Sequence, residues 1–381
     1  MSFREENMRR QDFLDTVSHR APHKIPVDFG GCPLSTADGA VIAKMKDFLG
    51  FYGNDEDERL PFAATASIDE RILREYDIDT RGVGYILAPK KSLYRKIDDT
   101  AYVDEWGVTR KFTGLYWDIV DSPLKDAGLK DVENYPFPDP DSIDVKALDA
   151  IKRQAKYLYE NTDYVICASH PVYGIFELGC WMFGFDDFLY RMAAEPEVVH
   201  CFFERVLAYQ KQVSDLYYGA IGDYIHYTSS GDDFATQSST FFSKTMFDEM
   251  ILPYFKERVR FTKEKTAAKF LHHSCGNVFS LIPSLIEAGV DILNPIQPCS
   301  GDMAPCRLKE TYGANIAFHG GLDTQSVLPR GNKESIGEAV RNLMDTFRES
   351  GGYIFAAAHN IQGDVSAENI HYFLQAAKNY K

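Results

Sequence analysis

From about residue 160 onward, the chain alternates short apolar runs with longer stretches of helical character, and this alternation restricts the fold more than any other feature. The apolar runs have the length of buried strands. Strands that alternate with helices form βαβ units, whose strands are parallel neighbours in one sheet. The predicted strands are 164–168, 224–227, 269–273, 292–295, 316–319 and 353–357. The predicted helices are 176–192, 197–218, 244–265, 278–288, 308–312, 336–350 and 367–380.

The number of predicted βα units fits a closed (β/α)8 barrel, the TIM barrel. An apolar segment over residues 25–29 is placed to supply the first strand. At 381 residues, the chain is long enough for one large barrel. We therefore predict a single α/β domain over residues 1–381. Its first residues are predicted to form a charged helical extension that lacks the apolar core of a secretory signal.

One segment, between residues 87 and 129, interrupts the alternation. Within it, residues 101–110 and 114–119 alternate polar and apolar side chains, a pattern typical of a β-hairpin. Long excursions from a barrel often serve as lids or loops of a functional site, and a plain structural insertion is the alternative. We predict that this hairpin insertion lies near the barrel mouth.

Composition argues against several classes of protein. The chain has 41 basic and 56 acidic residues, a formal net charge of −15, which argues against a nucleic-acid partner. No apolar run reaches the roughly eighteen residues of a membrane span. No glycine-rich nucleotide or phosphate loop is present. Seven cysteines at scattered spacing do not form a disulfide framework, which favours a reducing, cytoplasmic location.

Ionisable and polar residues recur where the predicted strands end. In a barrel, the carboxyl ends of all strands meet at one mouth, and active sites of this architecture lie there. A barrel built only around an apolar core does not need ionisable groups at so many equivalent positions. The residues at these ends are Ser169, His170, Asp232, Asp233, His273, Cys275, Gln297, His319 and His359.

Three of these residues form a candidate metal site. His273 and Cys275 are two positions apart, so on a strand their side chains project from the same face, and His359 follows another strand end. Three protein ligands with a fourth position open are typical of catalytic zinc. The alternative is that each histidine is hydrogen-bonded structure, since His-x-Cys also occurs by chance. The neighbouring His272 is predicted to face the opposite way and to be structural.

Motifs from most of the chain resemble one known family. They are Asp104-Glu105-Trp106-Gly107, Gly231-Asp232-Asp233-Phe234-Ala235-Thr236-Gln237, His273-Ser274-Cys275-Gly276-Asn277, Ile292-Leu293-Asn294-Pro295-Ile296-Gln297, His319-Gly320-Gly321-Leu322-Asp323-Thr324-Gln325 and His359-Asn360-Ile361. Together they are similar to the uroporphyrinogen decarboxylase superfamily and, more narrowly, to its zinc-dependent, corrinoid-linked methyltransferase branch. The His-x-Cys-Gly-Asn sequence, followed by a late strand-end ligand, resembles the zinc signature of that branch.

Two differences from the family pattern direct the functional expectation. Decarboxylases of the family open with an arginine-rich substrate loop, whereas the matching residues 23–31 contain no arginine. Thiol-methylating members carry a second cysteine where this chain has His359. Zinc bound by one thiolate and two neutral imidazoles keeps a net positive charge, which suits polarisation of a leaving oxygen.

The resemblance therefore implies a zinc enzyme that moves a methyl group from a methoxylated aromatic small molecule to a corrinoid protein. The chain has no Asp-x-His-x-x-Gly pattern, so a partner protein must supply the corrinoid. Three alternatives stay open: methylation of a thiol from methylcorrinoid, decarboxylation of a smaller carboxylated substrate, and a corrinoid-binding barrel without catalysis. Zinc content separates the methyltransferases from the other two.

Candidate roles for the remaining residues follow from their positions. Asp232 or Asp233 is expected to orient a water or a ligand histidine, or to donate to the leaving oxygen, and helix capping is the alternative. His319 is a candidate proton donor, with a hydrogen bond to backbone as the alternative. The candidate substrate-binding residues are Tyr173, Glu177, Trp181, Tyr227, Gln297 and Asp323. For the aromatic residues among them, a position in the apolar core is the alternative.

Overall fold

Parallel strands curl into a barrel in the computed structural model, which describes residues 8–52, 65–66, 68–114 and 116–380. The strands are β1 Ala37–Asp38, β2 Thr65–Ala66, β3 Thr80–Val83, β4 Arg95–Lys96, β5 Ala101–Val103, β6 Thr109–Phe112, β7 Trp117–Asp121, β8 Val165–Ser169, β9 Tyr227–Gly231, β10 Lys269–His273, β11 Ile292–Ile296, β12 Ala317–Gly320 and β13 Tyr353–Ile354. The main sheet has the order β13-β12-β11-β10-β9-β8-β3, and every pairing in it is parallel.

The segment 25–29 closes this sheet into a barrel. Val27 forms a parallel bridge with Phe355, and the Asp28 N–H donates to the Phe355 carbonyl at 2.8 Å. On its other side, the Val27 carbonyl accepts from the Asp79 N–H at 3.1 Å. The segment therefore lies between β13 and β3 and completes a barrel of eight parallel segments, as predicted for the first strand.

Helices cover the outside of the barrel. They are α1 Met8–Val17, α2 Gly39–Leu49, α3 Glu70–Glu75, α4 Leu129–Asn134, α5 Val145–Asn161, α6 Ile175–Phe183, α7 Phe185–Ala194, α8 Pro196–Ile221, α9 Lys244–Met246, α10 Leu252–Lys265, α11 Ile282–Ala288, α12 Pro305–Tyr312, α13 Val327–Arg330, α14 Lys333–Phe347 and α15 Ala367–Lys378. A π-helical turn, Phe247–Ile251, joins α9 to α10. Among the described helices, none combines the length and apolar character needed to cross a bilayer.

The N-terminal extension, α1, closes the bottom of the barrel. Phe13 is fully buried and stacks on Tyr227, with the ring centroids 5.3 Å apart. It packs with apolar side chains that mostly come from the first residues of the strands, such as Val165 and Ile292. The apolar core inside the barrel therefore sits at its N-terminal end, which leaves the opposite end for polar groups.

The predicted hairpin is part of a four-stranded antiparallel sheet, with the order β4-β5-β6-β7. Trp106, in the turn between β5 and β6, packs edge-on against Tyr209 of α8 at 4.8 Å. The Arg110 guanidinium of β6 lies over the Trp181 ring of α6 at 4.7 Å. Since α6 follows the end of β8, this sheet lies beside the barrel mouth, as predicted.

Several elements differ from the sequence prediction: β13 ends at Ile354 instead of residue 357, and the helix predicted over 176–192 is divided into α6 and α7. The strand β9 begins at Tyr227, three residues after the predicted start, because Gly222–Tyr224 forms a 3₁₀ turn. The strand β3 was not predicted, and it carries the charged Arg81. In the structure, Arg81 pairs with Glu70 at 2.8 Å and lies over the Tyr164 ring, so its charge is buried with partners.

Candidate metal centre

The three predicted ligands come together at the mouth of the barrel. His273 is the last residue of β10, Cys275 follows it in the loop, and His359 lies just beyond the bridge that Ala357 forms with Leu322. One ligand atom from each of the three residues lies within 4.8 Å of the others. They meet although His359 is far in sequence from the other two, because all parallel strands of a barrel end at the same mouth.

The spacing of these atoms fits a zinc ion. The Cys275 Sγ lies 3.3 Å from the His273 Nε2. Ligands placed about 2.0–2.3 Å from a tetrahedral zinc are themselves roughly 3.5 Å apart. Burial lowers the pKa of His273 and so favours the neutral imidazole that binds metal. Burial also raises the pKa of the Cys275 thiol, so zinc binding must release a proton from it.

A buried hydrogen-bond chain orients the first ligand. The Nδ1 of His273 contacts the Asn294 Oδ1 of β11, which leaves Nε2 free for a metal. The amide of Asn294 contacts the His319 Nδ1 at 2.6 Å, and the His319 Nε2 contacts the Asp28 Oδ2 at 2.8 Å. With the Asn294 amide N–H as the donor to Nδ1, the His319 Nε2–H donates to the carboxylate.

We expect Asn294→Ala to weaken zinc binding about 10- to 100-fold, because removal of a group that orients a ligand histidine typically has this effect. Competition between the protein and a chelator for zinc measures the affinity. The exposed Asn315, on the loop before β12, provides the control substitution Asn315→Ala. Equal zinc affinities for Asn294→Ala and the unmodified chain would contradict the orienting role.

The two aspartates after β9 have different surroundings. The Asp233 Oδ1 accepts from the Cys275 N–H at 2.7 Å and lies 3.6 Å from the His273 Nε2, and its side chain is 34% exposed. Asp232 is fully buried and accepts from the N–H groups of Phe176 and Glu177 at 3.1 and 2.8 Å. Asp233 thus lies at the metal site, whereas Asp232 caps the start of α6, and burial raises its pKa to about 6.

His319 and Tyr227 lie elsewhere than the sequence predicted. His319 is fully buried, and both of its ring nitrogens have partners inside the barrel. Tyr227 is also fully buried, stacked on Phe13 at the bottom of the barrel. Neither side chain lines the cavities at the mouth, so the structure corrects the expectation that both face a substrate.

Gln297 and Asp323 hold loops near the site. The Gln297 Oε1 accepts from the Gly276 N–H at 2.8 Å and so fixes the turn after Cys275. Asp323 accepts from the N–H of Gln325 at 2.6 Å and from the N–H of Ser326 at 3.2 Å, in the turn before α13. Through these hydrogen bonds, both side chains stabilise the backbone of loops at the barrel mouth.

Two cavities adjoin the metal site. The larger, of about 750 Å³, is lined in part by Tyr173, Glu177 and Gly231. Gly231 adjoins His273, because a Cβ placed on it would be 4.0 Å from the Cβ of that ligand. The smaller cavity, of about 550 Å³, is lined in part by Glu177, Trp181 and Asp233. Glu177 therefore borders both cavities.

Sequence reasoning missed Asp28 and Asn294. Both interrupt apolar runs, in Ile25-Pro26-Val27-Asp28-Phe29 and in Ile292-Leu293-Asn294-Pro295-Ile296. A charged or amide side chain within a buried strand needs a hydrogen-bond partner. A polar residue within each apolar run could therefore have indicated a buried hydrogen bond. The two residues are 0% exposed and belong to the same chain of hydrogen bonds.

Comparison with known proteins places the chain in a family. The family model for uroporphyrinogen decarboxylase (URO-D) matches residues 120–380. A uroporphyrinogen decarboxylase from Danio rerio is 26% identical over 139 residues, and the match spans 35% of this chain and 36% of that relative. A methyltransferase from Methanosarcina mazei has the same fold, with a TM-score of 0.66, 14% identity and coverage of 97% of this chain and 98% of that chain. Xylanase 10B from Thermotoga maritima is similar over 63% of this chain and 81% of its own, with a TM-score of 0.41 and 10% identity. Since the family model matches more than half of its residues, the chain belongs to the uroporphyrinogen decarboxylase family.

Proposed function

We propose that this protein is a zinc-dependent methyltransferase that moves a methyl group from a methoxylated aromatic small molecule to a corrinoid carried by a partner protein. The observation that carries the proposal is the His273, Cys275 and His359 set beside a cavity at the barrel mouth. The shared fold of the Methanosarcina mazei methyltransferase supports it.

The ligand set matches the chemistry that the reaction needs. A bound zinc ion would act as a Lewis acid toward the ether oxygen, and one thiolate with two imidazoles leaves it a net positive charge. Asn294 keeps the His273 Nε2 directed at the site, and Asp233 holds the loop that carries Cys275. A zinc ion held by these groups would keep the leaving oxygen at a fixed position for attack by the corrinoid on its methyl group.

Atoms and electrons balance in this transfer. The cobalt of a Co(I) corrinoid supplies an electron pair to the methyl carbon, and the C–O pair leaves with the oxygen, which gives methyl-Co(III) and an alkoxide or phenoxide. The released oxygen then takes a proton. Glu177 is placed to supply it, because burial and the nearby Asp233 and Asp232 raise its pKa, and it borders both cavities.

With a Co(I) corrinoid protein and a panel of methoxylated arenes, we expect conversion to methyl-Co(III) and release of the corresponding phenol. Stopped-flow absorbance follows the cobalt, and chromatography measures the phenol. The zinc-free protein is the control and is expected to be inactive. Methylation of a thiol from methyl-Co(III), with no reaction of any ether, would refute the proposed direction.

Decarboxylation of a small carboxylated substrate is the second candidate, and membership of the uroporphyrinogen decarboxylase family favours it. Release of CO₂ by a zinc-free preparation would support it over methyl transfer. The carboxyl groups that line the larger cavity, Glu105, Asp144 and Glu177, disfavour a polycarboxylate there.

A further inference from the structure

We propose that the larger cavity selects methyl donors by charge and prefers a cationic donor to an uncharged one, and an uncharged donor to a carboxylate. This inference rests on the proposed function for the identity of the reaction, and it adds the substrate class. Its basis is the set of side chains that faces the cavity.

The ionisable side chains at the cavity are mostly acidic. Among the described residues that line it, three are carboxylic acids, Glu105, Asp144 and Glu177, against one lysine, Lys90. The Lys90 Nζ is already paired with the Asp144 Oδ2 at 3.1 Å, and the Lys90 side chain is 67% exposed, so this pair lies at the rim. His170 also lines the cavity, but burial keeps its pKa well below the ordinary value, so it adds no charge.

Glu105 is the clearest recognition group. It lies on the turn between β5 and β6, far in sequence from the proposed metal ligands, and Tyr173 lines the same cavity. Burial raises its pKa, which means that the surroundings supply too little positive charge to balance it. Arg110 lies within electrostatic range, but its guanidinium donates to Asp104 at 3.0 Å and covers the Trp181 ring.

Aromatic rings complete a surface that suits a cation. Tyr85, Tyr94 and Tyr173 line the same cavity as Glu105. The face of an aromatic ring attracts a cation, and a carboxylate in a partly dry site attracts it more strongly than in water. A donor that carries a carboxylate is negatively charged, so the acidic side chains and the ring faces of the cavity repel it. Such a donor loses its hydration on entering the cavity and finds no positive group there to compensate.

Three donors of one skeleton test this proposal: 4-methoxybenzylamine, 4-methoxybenzamide and 4-methoxybenzoate. Calorimetric titration of the zinc-loaded protein, without a corrinoid partner, measures binding separately from methyl transfer. We expect the amine to bind roughly tenfold or more tightly than the amide, and the amide more tightly than the benzoate. The near-isosteric Glu105→Gln should reduce the preference for the amine, whereas Glu160→Gln, on the exposed face of α5 and paired with Lys156, should not.

The outcomes separate the two proposals. Benzoate that binds as tightly as the amide or the amine overturns the charge selection, whether or not methyl transfer occurs. The predicted order of binding with no methyl-Co(III) formed from any donor overturns the proposed function and leaves the charge selection standing. An unchanged preference in a folded Glu105→Gln protein overturns the role of Glu105, and the ranking in the unmodified protein tests the proposal even if that variant does not fold.

Discussion

Cys275→Ala is expected to remove most of the bound zinc and to lower the rate of methyl transfer by about 10³-fold or more, since a Lewis acid supplies several kcal/mol to such a step. Cys275 is partly buried at the mouth and is no part of the apolar core, so the barrel should stay folded. Elemental analysis measures zinc, and thermal unfolding checks the fold.

The exposed Cys306 of α12 provides the matched control. Cys306→Ala removes the same atoms from a surface position and should leave both the zinc content and the rate unchanged. Full zinc occupancy in Cys275→Ala would show that the three-residue site is assigned incorrectly.

Asp28→Ala is expected to destabilise the protein by about 3–5 kcal/mol, the usual cost of leaving a buried charged or polar partner uncompensated. The Asp28 carboxylate is fully buried and accepts from the His319 Nε2, from the Gly31 N–H at 2.8 Å and from the Thr80 hydroxyl. Denaturant unfolding measures the loss. Asp99→Ala, at a 94% exposed side chain, is the control and should change stability by less than about 0.5 kcal/mol.

The stabilisation by Asp28 should also depend on pH. Burial opposes its ionisation, but the hydrogen bonds from His319 and Thr80 hold the pKa of Asp28 below its ordinary value. A carboxyl group whose pKa is lower in the folded state stabilises the protein above the pKa of the unfolded chain, and that contribution is lost as the pH falls through the folded value. The unmodified protein should therefore lose more stability on acidification than Asp28→Asn does, and equal losses would contradict this.

The alternation of strands and helices was sufficient to predict the barrel, and the strand ends were sufficient to predict that His273, Cys275 and His359 meet at its mouth. Both inferences depend on short-range periodicity and on one general rule, that parallel strands end at a common edge. The strand β10, with His273 at its end, was predicted with its observed bounds. For this reason, the proximity of His273, Cys275 and His359 could be predicted from the sequence.

Side chains whose role depends on register were predicted less well. A strand predicted over 224–227 puts Tyr227 at the mouth, but the observed β9 starts at Tyr227 and puts it at the bottom. The hydrogen-bond chain from Asp28 through His319 and Asn294 to His273 connects the 25–29 segment with β12, β11 and β10. Asp28 and Asn294 show in the sequence only as polar interruptions of apolar runs, and which residues they meet is decided by the three-dimensional packing.

That hydrogen-bond chain would link the proposed zinc site to the integrity of the barrel. Asp28 belongs to the segment that joins the two ends of the sheet, and His273 is a proposed zinc ligand. Separation of that segment from β13 or β3 would therefore also free the His273 imidazole from its fixed orientation. Zinc bound only to the closed form stabilises that form by mass action. A dye that reports free zinc during a denaturant titration would thus measure when the 25–29 segment separates from β13 and β3.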